Sequence, residues 1–288
     1  MQIIVTGILL SGTYALIALG LTLQYGVARI MNLANGETLV AGCFIAFWLF
    51  TSFAISPILG LLIIAPLAFA FNWGVYRAAL KPLVDRAKTR GQLEVDSILA
   101  TFGLLFLLQG LMVLGFGGQY FSYQYLAQPF EIFGSSYGLN RVVAFCAAVV
   151  IAGGLYYFLY HTRHGTAVRA VAADPSSANL VAIDVARTAA IAFALGGALT
   201  ACGGALLSTF YTFNASMGVT FTMKALIIVI MGGVGDVRGA VVAALILGIA
   251  ETLVATYIDP GLTIAATYTL FIIILLVRPQ GIFGRRTT

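Results

Sequence analysis

The amino-acid sequence predicts an all-α, polytopic membrane protein of about eight to ten helices, some broken or re-entrant, forming a single transmembrane domain over residues 1–288. Three observations predict it. Hydrophobic residues make up 61% of the chain and charged residues only 9%, with a mean hydropathy of +1.02. Soluble domains carry about 25% charged residues, because an apolar interior still needs a polar exterior. Apolar stretches of about 20 residues, the length that crosses a hydrocarbon core, recur along the chain. Lys and Arg gather in a few short connectors between those stretches.

Taken in order, candidate spans run over about 3–28, 38–56, 58–80, 97–116, 142–160, 188–210, 240–258 and 262–277. The first has no basic residue before Arg29, so it lacks the basic head of a signal peptide and reads as a retained span. The apolar piece Met223–Met231 is too short to cross alone and runs into Gly232-Gly233-Val234-Gly235. The connector 77–90 carries Arg77, Lys81, Arg86, Lys88 and Arg90. The connector 161–187 carries Arg163, Arg169 and Arg187, and the tail Arg278, Arg285 and Arg286. The positive-inside rule puts all three in the cytoplasm, the N-terminus outside and Arg29 inside. Segments 117–140, 211–222 and 259–261, free of Lys and Arg, then face outward. Tyr120, Phe121, Tyr123 and Tyr125 in the first of these are candidate interfacial anchors. Gly/Ala/Thr-rich helices near Gly7 and Gly196 open the two halves and would enter from opposite faces, as inverted repeats do.

Several function classes drop out. The net charge of +5 lies in loops with no aromatic-interleaved basic patch, so no nucleic-acid partner is indicated. Cys43, Cys146 and Cys202 sit in apolar stretches without CxxC or metal spacing and read as small buried residues. Gly134-Ser135-Ser136-Tyr137-Gly138 fits the G-x-S-x-G pattern, but His161 and His164 fall on the opposite side of the membrane and mark a helix end instead. No GxxxxGK[ST] occurs, so the chain itself should not bind ATP.

Three constellations remain as candidate sites. In the basic connector, Asp174 is a good N-cap and Pro175 suits the first helical position, so a short helix should start there. Ala178, Val181 and Ala182 would share one of its faces. It reads either as a docking helix for a cytoplasmic partner or as an ordinary amphipathic connector. In Met31-Asn32-Leu33-Ala34-Asn35-Gly36-Glu37, polar groups and a glycine interrupt two spans. Asn32, Asn35, Gly36 and Glu37 either line a translocation route or form a cytoplasmic turn. In Gly232–Gly239, Gly232, Gly233 and Gly235 either break a helix within the membrane, with Asp236 close enough to pair with Arg238, or form a plain loop. Gly196, Gly197, Gly203 and Gly204 around Thr200 read chiefly as close helix packing. Glu251, a lone carboxylate in a late apolar stretch, either serves a pathway or reaches the outer interface.

The opening Ser11-Gly12-Thr13-Tyr14-Ala15-Leu16-Ile17-Ala18-Leu19-Gly20, the Met31–Glu37 block, Arg169–Ile183, Met231–Gly235 and the closing Arg278-Pro279-Gln280-Gly281-Ile282-Phe283-Gly284 together resemble LivH-type permease subunits of bacterial branched-chain amino acid ABC importers. The resemblance extends over essentially the whole chain, although Asn35 stands where many members have histidine. It implies a bacterial inner-membrane permease that moves solute by alternating access. It also implies a LivM-like second permease subunit, two cytoplasmic ABC ATPase subunits holding ATP and magnesium, and a periplasmic substrate-binding protein. By the same resemblance, a coupling segment at about 165–187 would dock on an ATPase through Arg169, Asp174, Pro175, Ser176, Ala178, Asn179, Leu180 and Val181. No cofactor is expected on this chain, and membrane lipid surrounds it. The competing readings are a urea or short-amide permease of the same family, an ATP-independent secondary transporter and, third, a membrane-embedded enzyme.

Overall fold

A computed structural model describes residues 2–87, 89–132 and 135–284. Lys88, Gly134, Arg285 and Arg286 lie outside the described residues, as does the side chain of Arg90. In chain order the helices are α1 (Gln2–Ala28), α2 (Asn35–Phe53), α3 (Pro57–Val75), a π-turn (Tyr76–Leu80) leading into α4 (Lys81–Arg86), and α5 (Arg90–Phe116). A hairpin of β1 (Pro129–Ile132) and β2 (Ser135–Gly138) follows, with Pro129 opposite Gly138 and Ile132 opposite Ser135. Then come α6 (Leu139–His161), α7 (Arg163–Ala173), α8 (Pro175–Leu180), α9 (Val185–Leu207), α10 (Gly218–Gly232), α11 (Val237–Tyr257), a 3-10 turn (Pro260–Leu262) and α12 (Thr263–Val277).

Among the described residues, eight helical segments are long and apolar enough to cross a bilayer, at the eight places the sequence predicts. Helix α10, with 15 residues, is the short exception. At 1.5 Å per residue it spans about 22 Å, less than a hydrocarbon core. Polar side chains start many of the helices: Ser56, Thr89, Thr162, Asp174, Asp184 and Asp236 each accept a backbone N–H from the first turn of the helix that follows. These bonds satisfy donors that have no partner inside the helix.

Burial sorts the helices into a centre and a rim. The most apolar stretch of α9 is 83% buried and that of α1 67%, against 6% for α12. Small residues make the centre possible, because without a Cβ one helix can rest on another's backbone. Gly42 of α2 lies on the backbone of Ala201 in α9, and Gly204 of α9 lies on that of Leu39. Helix α1 runs antiparallel to α9, with Gly20 beside Gly196 and Ile17 beside Gly203. It also runs antiparallel to α11, with Gly7 beside Gly248 and Gly26 beside Gly235. Rim helices α3, α5 and α12 turn Leu62, Leu114 and Leu276 outward, as a lipid-facing surface requires.

Some expectations gain detail and others need correction. The outward loop contains a β-hairpin in which Ser135–Gly138 form one strand, in keeping with the rejection of a nucleophile elbow there. Phe121 and Tyr123 are also tied to the bundle. Phe121 pairs by backbone with Phe213 and packs on Phe44 and Phe47, and Tyr123 hydrogen-bonds Ser208 at 2.9 Å, so both seal the outer end of α2. Cys146 is exposed on the rim, whereas Cys43 and Cys202 are buried. Asp236 and Arg238 do not pair. Asp236 caps α11 through the Gly239 N–H at 2.8 Å, while Arg238 donates to the Tyr156 hydroxyl at 2.9 Å.

Candidate functional site

The chain from the end of α1 into α2 carries buried polar groups at Asn32, Asn35 and Glu37. Helix α1 stops at Ala28, and Arg29 turns the backbone with φ of 57°. In the link 29–34 only the ends bond in helical fashion, Arg29 to the Tyr25 carbonyl and the Ala34 carbonyl to Thr38, so neighbouring side chains supply partners for groups between them. The Thr101 hydroxyl on α5 donates to the Met31 carbonyl at 3.0 Å and accepts the Leu33 N–H at 3.2 Å. The Thr222 hydroxyl on α10 donates to the Leu33 carbonyl at 3.2 Å and accepts the Gly36 N–H at 2.8 Å. Asn32 donates to Gln24 at 3.0 Å, and Gln24 donates to the Phe193 carbonyl of α9 at 3.2 Å. Thr200 of α9 donates to the Asn35 side-chain oxygen at 2.9 Å.

This arrangement brings two helix N-termini together inside the bundle. Asn35, Gly36 and Glu37 form the first turn of α2, and Gly218 opens α10 directly against the Glu37 carboxylate. Each N-terminus carries unsatisfied N–H groups and partial positive charge, which favours an acidic side chain there. Asn32, Asn35 and Glu37 are all buried, and both Glu37 carboxylate oxygens and the Asn35 amide nitrogen lack a hydrogen-bond partner. Glu37 is among the residues lining a mainly apolar cleft of about 410 Å³ between α2, α3, α5 and α9, walled by Leu67, Phe71, Leu108, Leu111 and Met112.

The predicted glycine cluster is elsewhere. Gly232, Gly233 and Gly235 form the turn between α10 and α11, where φ of 107° at Gly233 and 81° at Gly235 suits glycine. This turn packs against the tail, with Ile282 and Phe283 donating to the Met231 and Gly232 carbonyls at 2.8 and 3.1 Å. The structure therefore joins Asn32, Asn35, Gly36 and Glu37 into one polar seam and leaves the glycine turn at the end of the bundle that carries the tail.

The third constellation also lies at that end. Thr162 caps α7, and Val168 and Val171 bury one face of it. Asp174 then caps α8, accepting the Ser176 N–H at 3.0 Å and the Ser176 and Ser177 hydroxyls, each at 2.5 Å. Those side-chain bonds stabilise the charged form and lower the Asp174 carboxyl to about 2. Helix α8 starts at Pro175 as expected, but it ends at Leu180, and Ala182 has φ of 59°. Ala178, Val181 and Ala182 consequently do not share a helical face. Ala178 is buried, whereas Leu180 and Val181 are 87% and 68% exposed. Asn179 is exposed beside them, and the Arg169 guanidinium folds back over the Tyr160 ring, 4.6 Å from its centroid. Arg29 donates to the Ala172 carbonyl at 2.9 Å, joining this elbow to the start of the polar seam.

Sequence reasoning missed one buried network. Lys224 of α10 pairs with Glu251 of α11 at 2.8 Å. Tyr14 of α1 donates to Glu251 at 2.7 Å, as does Thr267 of α12, also at 2.7 Å. The signal was present in the sequence, since a lone Lys and a lone Glu in apolar helices need a partner in lipid. Glu251 is thus buried among α1, α10 and α12, apart from the seam.

A many-spanning bundle in which the N-termini of one full-length and one short helix meet at a buried polar seam, with a structured elbow at one end, has the architecture of a membrane permease. Comparison with known proteins gives the class its family. The profile of the family described as "branched-chain amino acid transport system / permease component" matches residues 3–278. The chain is 31% identical to the high-affinity branched-chain amino acid transport system permease protein LivH of Escherichia coli K12, over 99% of this chain and 96% of that one. It is also 31% identical to the corresponding permease protein BraD of Pseudomonas aeruginosa, with the same coverage. A probable LivH of Methanocaldococcus jannaschii is 29% identical over 96% of this chain and 90% of that one. Among solved structures, PsaBC from Streptococcus pneumoniae in complex with Fab aligns with a TM-score of 0.51 at 9% identity, covering 98% of this chain and 94% of that chain, which bears on the fold alone. The chain belongs to the branched-chain amino acid transport permease family. It is a multi-pass membrane protein, a transport subunit and not an enzyme, and its family implies an ABC transporter complex with ATPase and other subunits.

Proposed function

We propose that this chain is the membrane subunit of an ATP-driven importer for branched-chain or similar hydrophobic amino acids, in the inner membrane of a bacterium. Its relatives' names support the substrate class. In this reading it pairs with a LivM-like permease, two cytoplasmic ATPases and a periplasmic substrate-binding protein. The segment at about 165–187 meets an ATPase, and Asn32, Asn35, Gly36 and Glu37 border the route. The observation that carries the proposal is the α7–α8 elbow. It holds Leu180 and Val181 outward at one tip while its Ala172 carbonyl is bonded to Arg29, the first residue of the polar link. A motor grasping that tip has a direct mechanical connection to the seam, and alternating access needs such a two-state coupling.

The decisive experiment is a double substitution, Asp174→Ala with Ala178→Arg, in the assembled transporter. It removes the α8 cap and forces a charge into a buried position on the elbow. The protein should remain in the membrane while uptake is lost and ATP hydrolysis no longer responds to solute. Normal uptake by the variant, or uptake by the parent protein that survives ATP depletion with ion gradients intact, would refute the proposal.

A further inference from the structure

Glu37 is the one carboxylate among the described residues whose two oxygens are both buried and without a hydrogen-bond partner. A buried charge left alone is costly, so an unpaired buried carboxylate either takes up a proton or meets a cation. The partial positive ends of α2 and α10 offset some of that charge but supply no hydrogen bond. The chemistry of the surrounding cleft is opposite in character. Leu67, Phe71, Leu108, Leu111 and Met112 give it aliphatic and aromatic walls, and Thr38 is the other polar residue lining it beside Glu37. Its volume of about 410 Å³ falls in the range of small-molecule sites.

We infer that Glu37 anchors the cationic nitrogen of the transported solute, with the solute's apolar side chain lying against the Leu67–Phe71 and Leu108–Met112 walls. The assignment rests on the permease reading above and deepens it by giving the seam a recognition role. The occupant it fits has an ammonium group close to a short branched hydrocarbon. Glu37 has no exposed surface, so this state holds the anchor closed off and the opposite state of the cycle uncovers it. The anchor therefore discriminates on the amine, and the walls discriminate on the hydrocarbon.

The test uses the complete transporter, purified with its partner subunits, and three probes. These are L-leucine, isoamylamine (the amine retained, the carboxylate removed) and 4-methylpentanoate (the reverse). Radiolabelled leucine binding is measured with the other two as competitors, alongside ATP-driven leucine uptake in proteoliposomes. Glu37→Gln keeps the shape and removes the charge, Glu37→Asp keeps the charge, and gel filtration confirms that both assemble. Isoamylamine should compete on the parent protein and 4-methylpentanoate should not. Glu37→Gln should weaken leucine binding at least tenfold and abolish the isoamylamine effect, with Glu37→Asp intermediate. Parent-like binding and uptake by Glu37→Gln would overturn the assignment, as would equal competition by the two analogues. A cleft filled only by lipid would leave isoamylamine without effect and overturn it too. Absence of ATP-dependent uptake by the parent would instead sink the permease reading, while the competition assay still decides Glu37.

Discussion

Asp174 and Thr222 show what individual side chains contribute. Asp174 was readable in advance, because a carboxylate before a proline is a local signal that needs no tertiary information. Its three accepted bonds hold the carboxyl at about 2, below its ordinary 3.8. A lowered value means that the cap's stabilisation is present in full above the ordinary carboxylate range and is lost as pH falls toward 2. Hydrogen exchange over residues 174–183, corrected for intrinsic rates, should therefore be flat from pH 8 to 5 and rise only below about pH 4. Asp174→Ala should raise it at every pH, and loosening of the parent near pH 6 would contradict this account. Thr222 is the opposite case. Nothing in its neighbourhood in the chain announces that it bonds Leu33 and Gly36, which are nearly two hundred positions away. Thr222→Val removes both bonds while keeping the shape. It should lower the thermal midpoint of the purified protein by an amount equivalent to about 1–3 kcal/mol, since the partners stay buried. An unchanged midpoint would show that the seam tolerates the loss.

At the scale of elements, the helices were legible and their interruptions were not. Spans of about 20 apolar residues leave little freedom in where a helix lies. The link 29–34 was open to two readings because a polar turn looks the same at the membrane surface as it does inside the bundle. Thr101 and Thr222, brought from two other helices, bond it at Met31 and Leu33, and Thr200 bonds Asn35 where it enters α2, contacts that no short window of sequence shows. The elbow was also incomplete in the sequence: α7 carries a helical apolar face at Val168 and Val171, yet reads as a polar loop because its polar residues dominate. The glycines of α9 were read correctly as packing sites. Gly204→Val and Gly42→Val each put side-chain atoms into a neighbouring backbone. Either should cost about 1–3 kcal/mol or more by overpacking, visible as a lower melting temperature in detergent. Melting at the parent temperature would show that α2 and α9 slide freely.

At the scale of the whole molecule, the Lys224–Glu251 network joins α1, α10, α11 and α12 through one buried ion pair. Breaking a buried pair on one side leaves an uncompensated charge, a loss of about 3–5 kcal/mol in soluble proteins, whereas neutralising both sides costs much less. Lys224→Met should accordingly destabilise the protein more than Lys224→Met combined with Glu251→Gln, in which the glutamine oxygen can accept from Tyr14 while its amide donates to the Thr267 hydroxyl. Equal melting temperatures for the two variants would mean that the pair contributes little to assembly.

What the sequence determined by itself was everything that depends on a residue's immediate surroundings. It specified the membrane as solvent, the positions of eight crossings, the cap at Asp174 and the family motifs. Each follows from local hydropathy or local backbone bonding, which a short window of residues fixes. The tertiary structure decided which interruptions meet. It placed Glu37 against Gly218, Lys224 beside Glu251 and Arg29 under Ala172, and it sent Gly232–Gly235 away from the seam. Those pairings depend on how helices with similar apolar surfaces rotate and cross, and in lipid that choice is made by close packing and by satisfying buried polar groups together.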